Sequence, residues 1–365
     1  MTWLLSAMYG VLALVAASNW LLMRRPGRRL RADEGPGIAV LIPARDEEEN
    51  LARLLPALLH HYGEASRTGA SALPVYVFDD ESSDRTAEVA AAAGAKVLRG
   101  GPLPEGWTGK NRACDALAQA AVEDCDADWL LFLDADVQPA PDFVPALRGM
   151  LATLRPGVKV LTGFPHILPG RGVESLFLGW VGWALLATNT FGLKSRTGVG
   201  HCAFTNGQAT LWRRDLYAEL WPNRQVRSAV LEDVLLGRML KREKVGLEVA
   251  NFASIMRVKM YDTWRQTLDG MSKSAYEITG SAWGSVGVAL LLFLLAWGWV
   301  LAPIWWAPFL LLGLSGLFPA FTCRANPLAL AVMPIVLTIG SLTVLRSIYW
   351  RKAGKVMWKG RTYPG

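Results

Sequence analysis

An α/β domain built on a mostly parallel sheet, with hydrophobic helices before and after it, is the fold class the sequence predicts. Three observations predict it. Residues 37 to about 165 alternate short β-rich runs with helical stretches, the pattern of successive βαβ units. Several of those runs end abruptly in acidic residues, as strands do when they deliver ligand-binding groups to one sheet edge. The third observation is the long uncharged apolar stretch at each end of the chain.

Within the domain, strands are predicted at Ile38 to Ile42, Val75 to Phe78, Lys96 to Leu98, Trp129 to Leu133 and Lys159 to Thr162, because each is a run of β-branched, aromatic or aliphatic residues bounded by turn-formers. Helices are predicted at Glu47 to Tyr62, Asp84 to Ala93, Asn111 to Val122 and Pro141 to Leu154. Asp46 and Ser83 or Asp84 stand where N-caps belong. Gly63 to Leu73 reads as a small polar linker.

Trp3 to Met23 is a run of 21 uncharged residues, enough to cross a hydrocarbon core of roughly 30 Å at about 1.5 Å per residue. It lacks a basic n-region and is too long for a signal peptide core, so residues 1–24 are expected to be an uncleaved anchor. Arg24, Arg25, Arg28, Arg29 and Arg31 follow it and keep the domain in the cytoplasm by the positive-inside rule. Ser175 to Leu193 is also uncharged, but a single crossing there would put Asp134 and Glu232-Asp233 on opposite sides; an interfacial or buried helix with Trp180 and Trp183 as anchors is expected instead. Residues 261–283 read as an amphipathic interface segment, and 284–346 as three apolar segments near 284–301, 303–321 and 327–346. Residues 347–365 are a basic tail. From Arg346 to Gly365 there are six basic residues and no acidic one, which charge places in the cytoplasm near anionic lipid. One of the three segments must then be re-entrant, interfacial or merged with its neighbour. The net charge of +7 is concentrated beside the apolar runs, which argues for a membrane partner and against nucleic acid. Cys114, Cys125, Cys202 and Cys323 form no C-x-x-C pair, and the four histidines lack metal-ligand spacing, so neither a disulfide framework nor a zinc site is expected.

The chemistry-bearing residues lie at the ends of the predicted strands. Asp134-Ala135-Asp136 closes the run Trp129 to Leu133, and two carboxylates at that spacing can converge on a hard cation whose other positions take phosphate oxygens. Asp79-Asp80-Glu81 ends a second run, and Pro43-Ala44-Arg45-Asp46-Glu47 a third. Gly109-Lys110 opens a helix without being a Walker A loop, since no glycine lies five residues before Gly109 and Asn111 replaces the Ser or Thr. Glu232-Asp233 opens an amphipathic helix.

These five motifs, in this order over residues 37–260, resemble the inverting family 2 glycosyltransferases of the GT-A fold, a Rossmann-like mostly parallel sheet with flanking helices. Pro104 to Asn111 and Trp358 to Tyr363 look most like bacterial membrane enzymes that glycosylate carotenoids or are associated with hopanoid synthesis. The resemblance implies a sugar moved from a nucleotide-diphosphate donor, a UDP-sugar above all, to a lipid acceptor such as a carotenoid or other polyisoprenoid. It implies Pro43, Ala44, Arg45 and Glu47 around the nucleoside, Asp79 and Asp80 at the base, and Lys110 near base or diphosphate. Asp134 and Asp136 are implied to hold Mg²⁺ or Mn²⁺, Asp136 most directly, with Asp134 able to reach the ribose. Asp233 is implied as the general base with Glu232 supporting it, and Asn206, Gly207 and Gln208 as acceptor contacts. No nucleophilic Ser, Cys or His is required, because inversion by one displacement forms no covalent intermediate. Tyr261 to Leu268 does not reproduce the Gln/Arg-x-x-Arg-Trp motif of polymer synthases, which points to transfer of a single sugar. The expected location is the bacterial inner membrane, multi-pass, with the domain facing the cytosol.

Two other classes fit less well. A non-catalytic scaffold would be expected to have eroded the motif carboxylates, and all are intact. A nucleotidyltransferase usually begins with a glycine-rich phosphate loop, whereas Leu41 to Glu47 has no glycine.

Overall fold

The computed structural model describes the chain except residues 1, 32–33, 66–72, 169–173, 198–202, 262, 325–331, 353–356, 359–360 and 363–365. It divides into two units. One comprises residues 24–166 and 199–258, the other 1–23, 167–198 and 259–365.

The strands are β1 Ile38–Ala44, β2 Val75–Asp79, β3 Lys96–Arg99, β4 Trp129–Leu133, β5 Val137–Pro139, β6 Val158–Phe164, β7 His166–Ile167, β8 Ala209–Arg213, β9 Gly246–Asn251 and β10 Met256–Val258. Seven of them form one sheet in the order β3-β2-β1-β4-β8-β6-β9. β3, β2, β1 and β4 run parallel to one another. β8 is antiparallel to both β4 and β6. β1, β2 and β4 are almost wholly buried runs, as strands covered on both faces must be. Helix Gly109–Asp124 covers one face through Ala113, Leu117, Ala118 and Ala121, packed with Leu41, Phe78, Leu130 and Phe132. β1 reaches two residues beyond its predicted end. Its pairing with β4 stops at Leu41, before Pro43, which has no N–H to give the ladder.

The helix caps are arranged differently from the reading of the sequence. Asp46, held at φ 52°, does not cap its own helix; its Oδ1 accepts from Ser83 N at 2.7 Å. Asp84 instead accepts from Glu48 N at 3.1 Å, and Glu48 accepts from Arg85 N at 3.0 Å. Each loop thus satisfies the orphan N–H groups of the other. The loops after β1 and β2 are locked together.

The arginine-rich segment after the first helix also differs from the reading of the sequence. It is a strap laid on the sheet domain, so this unit begins at Arg24, not at residue 37. Arg24 pairs with the buried Glu248, and its carbonyl accepts from Asn251 N at 2.8 Å. Arg29 pairs with Asp142 at 2.7 Å, and Leu30 N donates to Pro145 O at 3.0 Å. A Cβ on Gly149 would stand 1.9 Å from Arg28 O, so only glycine lets the strap lie this close.

In the second unit, three helices are long and apolar enough to cross a membrane: Trp3–Leu22, Ala282–Leu301 and Met333–Lys352. Trp306–Thr322 is apolar but has only 17 residues, roughly 25 Å of helix. The uncharged stretch from Ser175 becomes two helices, Glu174–Thr188 and Phe191–Thr197. The first has 15 residues, roughly 22 Å, too short for a hydrocarbon core of about 30 Å. Trp180 and Trp183 are buried rather than interfacial: the Trp183 indole donates to Ser315 Oγ at 2.8 Å, and Trp180 lies on Gly340. Asn19, fully buried in the first helix, bridges the break between them. Its Nδ2 donates to Leu186 O at 2.6 Å and Asn189 O at 2.7 Å, and its Oδ1 accepts from Gly192 N at 2.8 Å. Every polar group of the carboxamide is satisfied, as an apolar surround demands.

The amphipathic segment is helix Trp264–Thr279, opened by a Thr263/Gln266 capping box and closed by Gly280 at φ 75°. Asp269 pairs with Arg346 at 2.7 Å and Glu277 with Arg351 at 3.7 Å. These two arginines of the basic stretch therefore have protein partners. Ser341 Oγ donates to Ala289 O at 2.8 Å and Trp297 Nε1 to Thr338 Oγ1 at 2.9 Å, so Ala282–Trp297 and Met333–Lys352 run antiparallel. Past the last helix, Met357–Trp358 and Arg361–Thr362 pair as a short antiparallel ribbon that the sequence did not suggest.

Candidate active site

The carboxyl ends of β1, β2 and β4 lie side by side, which brings their motif residues to one edge. Because β8 is antiparallel to β4, with Ala209 opposite Leu133, the residues that precede β8 arrive at the same edge. Asp134 N donates to Gln208 O at 3.1 Å, fastening the two loops. Helix Gly109–Asp124, capped by Thr108, presents Lys110 in its first turn. Helix Glu232–Arg242 carries Glu232 and Asp233 in its first turn and Lys241 and Arg242 in its last, the charge order its dipole favours.

Lys110 is the centre of this cluster. Its Nζ lies 2.9 Å from Asp134 Oδ1, 2.9 Å from Glu232 Oε1 and 3.5 Å from Gly207 O. Asp233 sits beside them, its Oδ1 accepting from Val234 N at 2.8 Å and its backbone carbonyl accepting from Thr205 Oγ1 at 2.7 Å. A Cβ on Gly207 would stand 3.1 Å from Lys110 Nζ, 3.2 Å from Glu232 Oε1 and 3.6 Å from Asp233 Oδ2, so the glycine leaves these charges room to meet. Lys110, Asp134, Gly207, Glu232 and Asp233 line one small cavity of about 30 Å³ with Pro43. Thr205, Thr210 and Trp212, which flank the Asn206-Gly207-Gln208 motif, line it too, as do Cys114 and Asn223, to which no motif pointed.

The electrostatics follow from burial. Burial, then the Glu232 carboxylate, pushes Asp233 up to about 7, with Lys110 opposing. Burial also raises Asp134 against the pull of Lys110. For Lys110, burial favours the neutral amine, but Asp134 and Glu232 outweigh it and hold the ammonium charged well above its ordinary range. Burial raises the Cys114 thiol far out of reach of neutral pH, so it is no nucleophile.

The remaining motif residues occupy the adjoining loops. Arg45 donates to Asp80 O at 2.6 Å and lies 3.9 Å from Asp80 Oδ2, while Asp80 is 1% exposed. Asp79 Oδ1 accepts from Ser82 N at 3.1 Å, and Ala44 is buried at the end of β1. Glu47 is close enough to Asp134 to raise it. Asn206 holds its own turn: Nδ2 donates to Gly163 O at 2.9 Å and Oδ1 accepts from Gln208 N at 3.1 Å. These bonds shape the turn carrying Gly207 and Gln208.

Asp136 is half-buried in the turn between β4 and β5, two residues past Asp134. Among the described residues, no three His, Cys, Asp or Glu side chains gather as a metal site. Two carboxylates at one strand end still fit a hard divalent cation that completes its shell with diphosphate oxygens and water.

This architecture has known relatives. Residues 39–213 match the model of Glycosyl transferase family 2. Over those residues the chain carries a family 2 glycosyltransferase domain. Among its relatives, 4,4'-diaponeurosporenoate glycosyltransferase of Staphylococcus haemolyticus is 26% identical over 283 residues, 75% of this chain and 71% of that protein. The enzyme of the same name from Staphylococcus aureus USA300 is 24% identical over 260 residues, 70% of this chain and 65% of that protein. The chain thus spans just under two thirds of the latter's length. Among solved structures, glucosyl-3-phosphoglycerate synthase from Mycobacterium tuberculosis, in complex with Mn²⁺ and UDP-glucose, is 20% identical with a TM-score of 0.42, covering 66% of this chain and 78% of that one. The family match ends at Arg213, before Glu232-Asp233, whose place in the site rests on geometry.

Proposed function

We propose that this enzyme transfers a single sugar from a nucleotide-diphosphate donor, a UDP-sugar, to a hydroxyl or carboxyl of a membrane lipid, a carotenoid or other polyisoprenoid, with inversion. The observation that carries the reading is the ion-paired cluster in which Lys110 holds both Asp134 and Glu232 beside an Asp233 whose pKa is pushed to about 7. A carboxylate poised near neutral pH suits a general base. The names of the staphylococcal relatives favour a carotenoid acid as acceptor, and three membrane-length helices fit such a substrate.

In this mechanism Arg45, Asp79 and Asp80 hold the nucleoside end of the donor, and the interlocked loops keep them rigid. Asp134 and Asp136 would hold a Mg²⁺ or Mn²⁺ ion, which supplies positive charge to the leaving diphosphate when bound. Lys110 adds an ammonium to the same side. With a hydroxyl acceptor, Asp233 takes the acceptor proton as the acceptor oxygen bonds to the anomeric carbon and the bond to the diphosphate breaks; a carboxyl acceptor, already ionised near neutral pH, makes the same displacement with no proton to give up. Glu232 keeps Asp233 basic by like-charge repulsion. Three crossings place the domain and the basic tail in the cytosol if Trp306–Thr322, the shorter helix, makes no net crossing; the antiparallel pairing and the Arg346–Asp269 and Arg351–Glu277 ion pairs support that reading.

The test is mass spectrometry of lipids and pigments from cells with and without the gene. A hexose mass difference on one polyisoprenoid, lost with the gene, is expected; identical lipid profiles from cells that make the protein would overturn the reading.

A further inference from the structure

The side chain next to Lys110 has no place in the mechanism above, yet it is among the most heavily bonded in the domain. Asn111 is fully buried. Its Nδ2 lies 2.9 Å from Val226 O, 3.0 Å from Ala229 O and 3.4 Å from Arg227 O, and 2.9 Å from Thr108 Oγ1. Its Oδ1 accepts from Asn223 Nδ2 at 2.8 Å, and Asn223 Oδ1 in turn accepts from Tyr217 OH at 2.6 Å. Thr108 N adds a bond to Arg227 O at 2.7 Å.

What this network joins is specific. On one side is the first turn of the helix that carries Lys110. On the other is the segment 226–229, which ends three residues before Glu232. Two elements more than a hundred residues apart in sequence must keep a fixed separation, because Lys110 Nζ can hold Glu232 at 2.9 Å only if both backbones stay in place. Several buried carbonyls converging on one carboxamide cost much if that donor is lost. The chain Tyr217–Asn223–Asn111 fixes which way the carboxamide faces, since Asn223 presents its NH₂ to Asn111 and keeps its oxygen for the tyrosine hydroxyl.

We infer that Asn111 is a positioning residue: through Val226, Arg227 and Ala229 it sets the distance between Lys110 and the Glu232-Asp233 turn, with Tyr217 and Asn223 orienting it. The catalytic consequence rests on the proposed role of Asp233; the coupling itself does not. Asn111→Asp keeps the shape but turns a donor into a carboxylate facing carbonyl oxygens. Tyr217→Phe removes only the hydroxyl that orients the network, leaving its ring on Phe132 and Trp212.

The experiment uses the full chain in detergent and reads hydrogen–deuterium exchange and turnover on the same samples. Asn111→Asp is expected to speed exchange across residues 226–233 and to lower kcat at least about 10-fold, with the donor KM within about threefold. Tyr217→Phe is expected to do the same more weakly, about threefold in kcat, and it carries the test if the aspartate variant fails to fold. The pH–rate profile of Tyr217→Phe should shift, because a loosened Glu232 changes the field at Asp233. Wild-type exchange across 226–233 in a folded variant overturns the coupling whatever the substrate proves to be. Faster exchange with wild-type kcat overturns the positioning role alone.

Discussion

At the scale of single residues, two carboxylates separate the proposed roles. Asp233→Asn is expected to bind donor as the wild type does and lose transfer by a factor on the order of 10², the usual contribution of a positioned base. Donor titration by calorimetry beside a turnover assay checks this, and a collapse of donor affinity would make Asp233 a donor ligand. The same variant has a signature in stability. Asp233 rises from 3.8 to about 7 in the folded protein through burial and Glu232. The folded state then holds a proton that the unfolded chain has released, so this group's contribution to stability falls as pH rises from about 4 to about 7 and is lowest above that. Asp233→Asn should show little gain in Tm over wild type at pH 4 and a clear gain at pH 8. Asp136→Asn, by contrast, is expected to abolish divalent-metal-dependent transfer with an unchanged Tm, because it removes one carboxylate from the cation's side of the cleft. Full wild-type activity in excess EDTA would refute that role. Lys110, Asp134, Glu232 and Asp233 were legible in the sequence because charged residues at strand and helix ends stand out; Asn223 and Cys114 were not, since ordinary residues acquire a place in the site only when the chain folds around it.

At the scale of elements, the strap from Arg24 to Leu30 distinguishes local charge from local structure. Its arginines satisfy the positive-inside rule, yet Arg24 and Arg29 are also bonded to Glu248 and Asp142. Gly149→Ala should lift the strap, since the added methyl carbon falls on Arg28 O. A loss of about 1–3 kcal/mol is expected for such overpacking, read as a lower midpoint in thermal or urea unfolding of the detergent-solubilised chain; an unchanged midpoint would show that the strap moves freely. The five predicted strands match β1, β2, β3, β4 and β6 to within a residue or two because buried strands are continuous apolar runs, whereas β5, β7, β8, β9 and β10 were not predicted. The Asp46 cap was misplaced because Asp46 bonds across to Ser83 of the other loop, a pairing to which sequence distance gives no signal, whereas Asp84 accepts both from Thr86 N at 2.9 Å in its own helix and from Glu48 N across the loops.

At the scale of the whole molecule, the number of crossings decides where the tail lies. Six basic residues from Arg346 to Gly365, with no acid among them, and the pairing of Arg346 and Arg351 with helix Trp264–Thr279 lead to the expectation that the tail shares the cytosol with the sheet domain. A cysteine introduced at Tyr363, which lies outside the described residues, should be labelled by an impermeant reagent only after the cells are broken. Labelling in intact cells would mean that the three C-terminal helices all cross. By itself the sequence determined the α/β class, the apolar segments and the ordered acidic motifs, because periodicity, length and charge are local properties written in consecutive residues. Only the tertiary structure decided that β8 runs antiparallel and carries Gly207 to the edge where β4 ends, that Trp180 and Trp183 are buried, and that Lys110 bridges Asp134 and Glu232, because each depends on contacts between segments whose separation in sequence says nothing about their distance in space.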